Sequence, residues 1–273
     1  MAQSVPAKLL GILALYTQDR TSYTVTELSR LSGLPLTTTH RLVRELAGWG
    51  ALERDDGGVY RIGLRLVEVA SLCPRGVGLR DVALPFLEDL YEVTHQNVQL
   101  AVRDGTEIVY VERIAGHDAV SVHTRIGARW PLHATGVGLV LLAFAPPEVL
   151  DEVLRTPLQV FTPRTIDTPG RLRTVLAEVR RTGVAISDQQ ITMDACSVAA
   201  PVRDAAGATI ASVSIVVPHA DRKMVTWIPA VRAAALGISR AVQAPRVAPP
   251  NPPRRAVITG PGPASRSAPA RRR

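Results

Sequence analysis

Cysteine is nearly absent: Cys73 and Cys196 are the two in 273 residues, far apart and without metal-ligand spacing. Neither a disulfide framework nor a zinc module is indicated, and a reducing cytoplasm is the expected setting. No apolar run approaches the roughly 18 residues that a membrane-spanning helix needs. Lys8 and the run from Leu9 to Tyr16 imitate a secretion signal, but the run is short, has no small-residue cleavage site and leads directly into a helical pattern. The chain also lacks a glycine-flanked nucleophile elbow, a His-x-x-x-His metal pair, a phosphate-binding glycine loop and any repeat at solenoid period. Each of the six histidines stands alone in the sequence. Acidic residues are missing from 244–273, a proline-, alanine- and arginine-rich tail with seven arginines; without it the net charge of +8 falls to about neutral. Such a tail is expected to be disordered, adding at most salt-sensitive phosphate affinity. Global basicity therefore argues little, and any case for nucleic acid rests on local pattern.

What is present is a chain of two-domain length with 46% hydrophobic and 21% charged residues, the composition of an ordinary soluble protein. The run Leu9 to Tyr16 is read as a first core helix, with Leu9, Ile12, Leu13 and Tyr16 on one side. From Thr24 to Gly63 the pattern is more specific. Thr24-Val25-Thr26-Glu27 is a capping box, in which the threonine hydroxyl accepts from the amide three residues on while the glutamate reaches back. Ser32-Gly33-Leu34-Pro35 ends that helix in a turn and starts the next. In the second helix Leu42, Val43, Leu46 and Trp49 form an apolar face, and Thr37, Thr38, Arg41, Arg44 and Glu45 fall opposite. Ala51 to Arg54 and Val59 to Ile62 are short β-prone runs joined by Asp55-Asp56-Gly57-Gly58, a hairpin signal. On an isolated helix two arginines make an ordinary solvated face. Following a capping box and a tight turn and preceding a wing, they form a winged helix-turn-helix: hydroxyls at a helix start, two arginines able to fork onto guanine or phosphate, and Arg54 and Arg61 in the wing.

Beyond Gly63, a short segment from Leu64 to Ala70 is followed by an amphipathic helix with Leu79, Val82, Ala83, Phe86, Leu87, Leu90 and Val93 on one stripe, interrupted by Pro85. Strands are expected at Val98–Val102, Glu107–Val111, Ala119–Thr124, Val184–Ser187, Ser197–Val202 and Thr209–Val217. Helices are expected from Thr168-Pro169 to Gly183 and over Ile228–Gln243. The second domain is thus α+β with an antiparallel sheet. A glycine-flanked loop, Gly127 to Gly138, precedes an apolar helix whose first amides, around Thr135, Gly136 and Val137, make a natural anion site.

With Leu34-Pro35-Leu36-Thr37-Thr38-Thr39-His40-Arg41-Leu42, the Gly127–Gly138 string and Gly183 through Pro201 in order, the chain resembles the IclR family of bacterial transcription regulators over about Ala7 to Val242. The resemblance implies a winged helix-turn-helix at 1–63, a linker helix at 64–78, a GAF-like effector domain at 79–243 and the tail at 244–273. It implies DNA contact by Thr37, Thr38, His40, Arg41, Arg44, Arg54 and Arg61. Carried over position by position, it places Trp130, Gly136, Val137, Ser187, Ser197 and Ser214 around a small-molecule effector. The partners implied are a double-stranded operator, that effector and further copies of the chain, as a homodimer or a homotetramer built as a dimer of dimers. No cofactor, metal, catalytic residue or membrane contact is implied. The chain departs from the family pattern at Gln190, where a glutamate is common, at Asp194 in place of glycine, at Leu139 in place of lysine and at Val216 in place of a polar residue. Trp130 is bulkier than the usual aliphatic. A larger ring and a lost hydroxyl favour an aromatic or partly apolar effector over a small keto acid.

Two alternatives remain at this point. One is an architectural DNA binder without effector, using the arginine tail. The other is an enzyme with an appended DNA-binding domain, for which Cys196, Ser197, His133, His123 and Asp188 would supply the nucleophile, base and orienting group. A serine at any of the carried-over positions is also well placed simply to bond local backbone.

Overall fold

The computed structural model describes residues 4–17, 19–116, 124–220 and 224–244. The expected strand at Ala119–Thr124 lies outside them but for Thr124, which is not in a strand, and the tail lies outside them but for Ala244. Helix α1 (Val5–Leu13) starts on Ser4, whose hydroxyl accepts from the Ala7 amide at 3.3 Å. It ends before Tyr16, which instead donates its hydroxyl to the Tyr60 carbonyl at 3.3 Å. Burial, helped by Tyr23 and Tyr60, pushes the Tyr16 phenol up to about 12, so it stays a neutral donor. A two-residue strand, β1 (Ser22–Tyr23), was too short to leave a pattern.

Helix α2 (Val25–Ser32) forms with both halves of its capping box closed: the Glu27 amide donates to Thr24 Oγ1 at 3.3 Å and the Thr24 amide to Glu27 Oε2 at 2.8 Å. Gly33 ends it at φ 69°, a conformation that glycine adopts without a Cβ penalty. Helix α3 (Leu36–Trp49) buries Leu42, Val43 and Leu46 against Ile12, Leu28 and Leu52. Trp49, expected on that face, is instead 52% exposed. It is the last helical residue, beyond the reach of a core this small, and its ring lies under the Arg65 guanidinium at 5.6 Å. Strands β2 (Leu52–Arg54) and β3 (Tyr60–Ile62) pair antiparallel, and β1 adds to β3 to make a three-stranded sheet. Asp55 closes the intervening turn, accepting from the Val59 amide on Oδ1 at 2.9 Å while its own amide donates to the Val59 carbonyl at 2.9 Å.

Helix α4 (Leu64–Ala70) has no buried residue. A π-helical turn at Pro74–Gly78 leads into α5 (Leu79–Thr94), which accommodates Pro85 in its interior. Its buried stripe is Leu79, Ala83, Leu87 and Leu90; Val93, expected to join them, is 65% exposed near the helix end.

The remaining elements are β4 (Asn97–Asp104), β5 (Glu107–Ile114), β6 (Arg129–Pro131), α6 (Gly136–Ala143), α7 (Pro147–Val153), α8 (Pro169–Thr182), β7 (Ala185–Asp188), β8 (Ala195–Arg203), β9 (Thr209–Pro218) and α9 (Ile228–Gln243). The six strands form one antiparallel sheet in the order β6-β5-β4-β9-β8-β7. Alternation along the strands sends Val98, Leu100, Val213, Ile215, Val198 and Ala200 to a core with α5 and α9. The opposite face meets α6 and α8, around Leu139, Leu142, Leu172 and Leu176. Helix α6 is buried along its whole length. That requires its first turn to sit close against the strands, and the glycines allow it. A Cβ on Gly138 would lie 2.3 Å from the Leu132 carbonyl oxygen, and one on Gly136 would lie 2.6 Å from Ser197 Oγ.

Candidate functional sites: a helix face and a cavity

On α3 the expected polar face is open to solvent. Thr37, His40, Arg41, Arg44 and Glu45 line a shallow groove on the outside of the helix, and Thr38 is half-buried beside it. The neighbouring Thr39 points the other way; it is buried and its hydroxyl donates to the Pro35 carbonyl at 3.2 Å. No described residue forms an ion pair with Arg41 or Arg44, so both guanidinium groups are free for another molecule. The wing arginines are less free: Arg54 lies over the Tyr60 ring at 5.9 Å, and Arg61 pairs with Asp55 at 3.2 Å. The hairpin thus spends part of its positive charge on holding its own shape.

The second site is a cavity of about 540 Å³, counting its open mouth, between the α6 face of the sheet and the first turn of α6. Strand register builds its floor. Gln99 of β4 pairs with Ser214 of β9, Val216 lies two residues along and pairs with Ser197 of β8, and Ser197 pairs with Ser187 of β7. Side chains two apart on a strand share a face, so Gln99, Ser214, Val216, Ser197 and Ser187 all project into the same space. Trp130 and Tyr110 add aromatic walls, and Trp130 is braced edge-on by Phe161 with ring centres 5.2 Å apart. Thr135 caps α6 by accepting from the Gly138 amide at 3.0 Å, which leaves the Gly136 and Val137 end of the helix facing the cavity. All six expected effector positions, Trp130, Gly136, Val137, Ser187, Ser197 and Ser214, line it.

Several lining residues were missed from sequence, namely Gln99, Tyr110, Thr124 and Thr192, and Gln190 stood there only as a departure from the family pattern. Gln99 left one signal, a polar residue between Val98 and Leu100 in the apolar stretch of its strand. Its Nε2 and the Gln190 Oε1 are buried with no hydrogen-bond partner among the described residues. An unpaired buried amide atom costs about 1–3 kcal/mol, so the cavity holds unspent capacity for one acceptor and one donor. Burial pushes the Tyr110 phenol up, only partly offset by its hydrogen bond to Thr124, and it remains a neutral donor. Among the described residues no charged side chain lines the cavity; its walls are amides, hydroxyls, a thiol, rings and aliphatic carbons.

The residues considered for an enzyme do not assemble as expected. His133 is buried, and its Nε2 lies 2.9 Å from the Gln159 carbonyl, away from Cys196. His123 lies outside the described residues. His219, isolated in the sequence, has partners in space: its Nδ1 lies 3.1 Å from Asp188 Oδ1 and 3.3 Å from Cys196 Sγ.

Comparison with known proteins places this architecture. Residues 5–56 match the IclR helix-turn-helix domain and residues 75–240 the bacterial transcriptional regulator IclR C-terminal domain. The chain belongs to the IclR family of transcription regulators. Among its relatives, the HTH-type transcriptional regulator XynR of Escherichia coli is 31% identical over 243 residues, covering 87% of this chain and 96% of that one. The regulator KipR of Bacillus subtilis is 32% identical over 209 residues, covering 76% and 83%. An IclR homolog from Microbacterium hydrocarbonoxydans, solved in complex with 4-hydroxybenzoate, is 37% identical with a TM-score of 0.83 over 88% of this chain and 99% of that one. The IclR of Thermotoga maritima shares the fold at a TM-score of 0.72 and 26% identity, covering 87% of this chain and 98% of that one. IclR proteins are DNA-binding regulators, and this one is a regulator rather than an enzyme. No described helix is long and apolar enough to cross a membrane.

Proposed function

We propose that this IclR protein is a ligand-responsive regulator whose operator binding or activity is set by a hydroxylated aromatic carboxylate held in the cavity between α6 and the sheet. The observation that carries this reading is the pair of unpartnered buried amide atoms on Gln99 and Gln190 between aromatic walls. A flat ring fits against Trp130 and Tyr110, and a carboxylate fits the first amides of α6, where helix-dipole charge replaces an arginine. The Gln99 and Gln190 amides then meet polar substituents on the ring. The Microbacterium homolog's 4-hydroxybenzoate supports this class of ligand. A two- or three-carbon keto acid would leave the aromatic walls without contact.

At the other end Thr37, Thr38, His40, Arg41 and Arg44 read the major groove, and Arg54 and Arg61 meet phosphate beside it. One such helix covers only a few base pairs, so two copies on a pseudo-palindromic site, as a dimer or a dimer of dimers, supply useful specificity. The segment 64–78 serves as the linker, with α4 between the 1–63 and 79–243 parts. Calorimetry with 4-hydroxybenzoate, benzoate and pyruvate, followed by footprinting on the DNA upstream of its own gene with and without each, tests the whole reading. The expected result is tight binding in the order 4-hydroxybenzoate, benzoate, pyruvate, with a changed footprint for the first. Tight pyruvate binding with no affinity for either aromatic acid overturns the effector assignment. A footprint that survives Thr38→Ala with Arg41→Ala, or that is lost on removing 244–273, overturns the DNA assignment.

A further inference from the structure

At one end of the six-stranded sheet, at the margin of the cavity that Cys196 also lines, three metal-ligating side chains converge. Asp188 ends β7, Cys196 lies near the start of β8 directly opposite it in register, and His219 follows the last residue of β9. Cys196 Sγ is 2.8 Å from Asp188 Oδ1 and 3.3 Å from His219 Nδ1, and Nδ1 is 3.1 Å from the same Oδ1. Backbone bonds fix the frame: the Gln189 amide donates to the Ala195 carbonyl at 3.1 Å and the His219 amide to the Asp194 carbonyl at 2.7 Å. The sulfur is backed by the apolar core under α5 and α9, while Asp188 and His219 are half-exposed.

We propose that Asp188, Cys196 and His219 form a site for a zinc-class divalent ion, with solvent water completing the coordination. The donor set is one thiolate, one imidazole and one carboxylate, the mixture of soft and borderline ligands that suits Zn²⁺ or Co²⁺ and not Mg²⁺ or Ca²⁺. Bond lengths of about 2.0–2.3 Å in a tetrahedron set ligand-to-ligand edges of roughly 3.3–3.6 Å, so the two pairs that include His219 need to open by a few tenths of an ångström and the sulfur-carboxylate pair by about 0.7 Å. The half-exposed carboxylate and imidazole have room to do so, and their open side admits the ion and the water. Binding exchanges the thiol proton of Cys196 for the metal; the proton leaves to solvent and the sulfur becomes a thiolate. The ion would rivet the ends of three strands that are joined there by hydrogen bonds alone. Its neighbours in the chain, Ser187 and Ser197, face the cavity.

The full chain without an affinity tag, treated with Co²⁺ and with Zn²⁺ alone, tests the site. The expected result is one Co²⁺ per chain with thiolate-to-cobalt charge-transfer absorption and the visible bands of tetrahedral cobalt, displaced by Zn²⁺, and a melting temperature raised by Zn²⁺. His219→Ala and Asp188→Asn, both at half-exposed positions, are expected to fold and to weaken Zn²⁺ binding by on the order of a hundredfold, since loss of an outer-shell partner alone costs about 10–100-fold. Cys196→Ser is expected to abolish the charge-transfer band, and Cys73→Ser to leave it intact. No thiolate band, a band lost with Cys73→Ser, or Zn²⁺ affinity unchanged in His219→Ala overturns the proposal.

Discussion

The α3 face and the α6 cavity put polar groups to opposite uses. On α3, charge is displayed: Arg41 and Arg44 stand in solvent on a helix held by a core of a few buried side chains. In the cavity no described residue brings a charge, and uncharged polar atoms are held out of water by a sheet with a helix-lined core on each face. A surface for a polyanion needs long-range field and loses little by being solvated. A cavity for a small molecule needs fixed directions, and the proposed ligand would satisfy the amides left unpaired there. Removing a polar group is therefore expected to leave stability untouched in the first region and to change it in the second.

The largest expected effect is on the scaffold beneath the displayed face. Leu42 is fully buried, and Leu42→Ala is expected to cost about 2–5 kcal/mol and melt the N-terminal region at lower temperature, read by calorimetry. Next, Arg41→Ala is expected to weaken operator binding by about 1–3 kcal/mol and relax specificity at one base pair, with an unchanged melting temperature. A comparable loss of thermal stability would show that Arg41 is structural after all. In the cavity the signs reverse. Gln99→Leu removes an unpaired buried amide and is expected to stabilise the unliganded protein by about 1 kcal/mol while weakening aromatic-acid binding. Destabilisation with unchanged affinity would remove Gln99 from the site. Thr24→Ala, which opens the capping box, is expected to cost about 1 kcal/mol by denaturant titration.

The smallest effect is a pH dependence. Burial, only partly opposed by the hydrogen bond to the Gln159 carbonyl, holds the His133 imidazole below its ordinary 6.5. The unfolded chain then binds a proton there that the folded chain refuses, so stability is full above about 6.5 and declines as pH falls below it. His133→Gln is expected to flatten that decline in melts run across the range. An identical slope in the variant would assign the decline to other groups.

The same contrast explains what could be read in advance. The capping box, the Gly33 turn and the hairpin are written in consecutive residues, and the structure places α2, α3, β2 and β3 where that pattern put them. Trp49 and Val93 broke the pattern because periodicity says which side a residue faces and not where the neighbouring core stops. The cavity is different in kind. Gln99, Tyr110, Thr135, Ser187, Ser197 and Ser214 come from separate elements, and only strand register brings them into one space. No local spacing encodes that meeting: of the six positions named from sequence, Gly136 and Val137 follow from the loop-to-helix pattern as well, and Trp130, Ser187, Ser197 and Ser214 came from family resemblance alone. Asp188, Cys196 and His219 are a sharper instance, since they touch across three strand ends and form no motif in one dimension.

The junction after the hairpin has a mechanical consequence. The Gly63 amide donates to the Ala51 carbonyl at 2.8 Å, and a Cβ on Gly63 would fall 2.2 Å from the Gly50 carbonyl oxygen, so bare backbone lies against bare backbone where α3 stops and α4 starts. Side chains at a joint act as cushions, because they change rotamer and absorb displacement. At the backbone contact itself nothing intervenes to compress, with the Trp49 and Arg65 pair stacked beside it, and a tilt of α4 is expected to reach the end of α3 with little damping, like a lever keyed to its shaft.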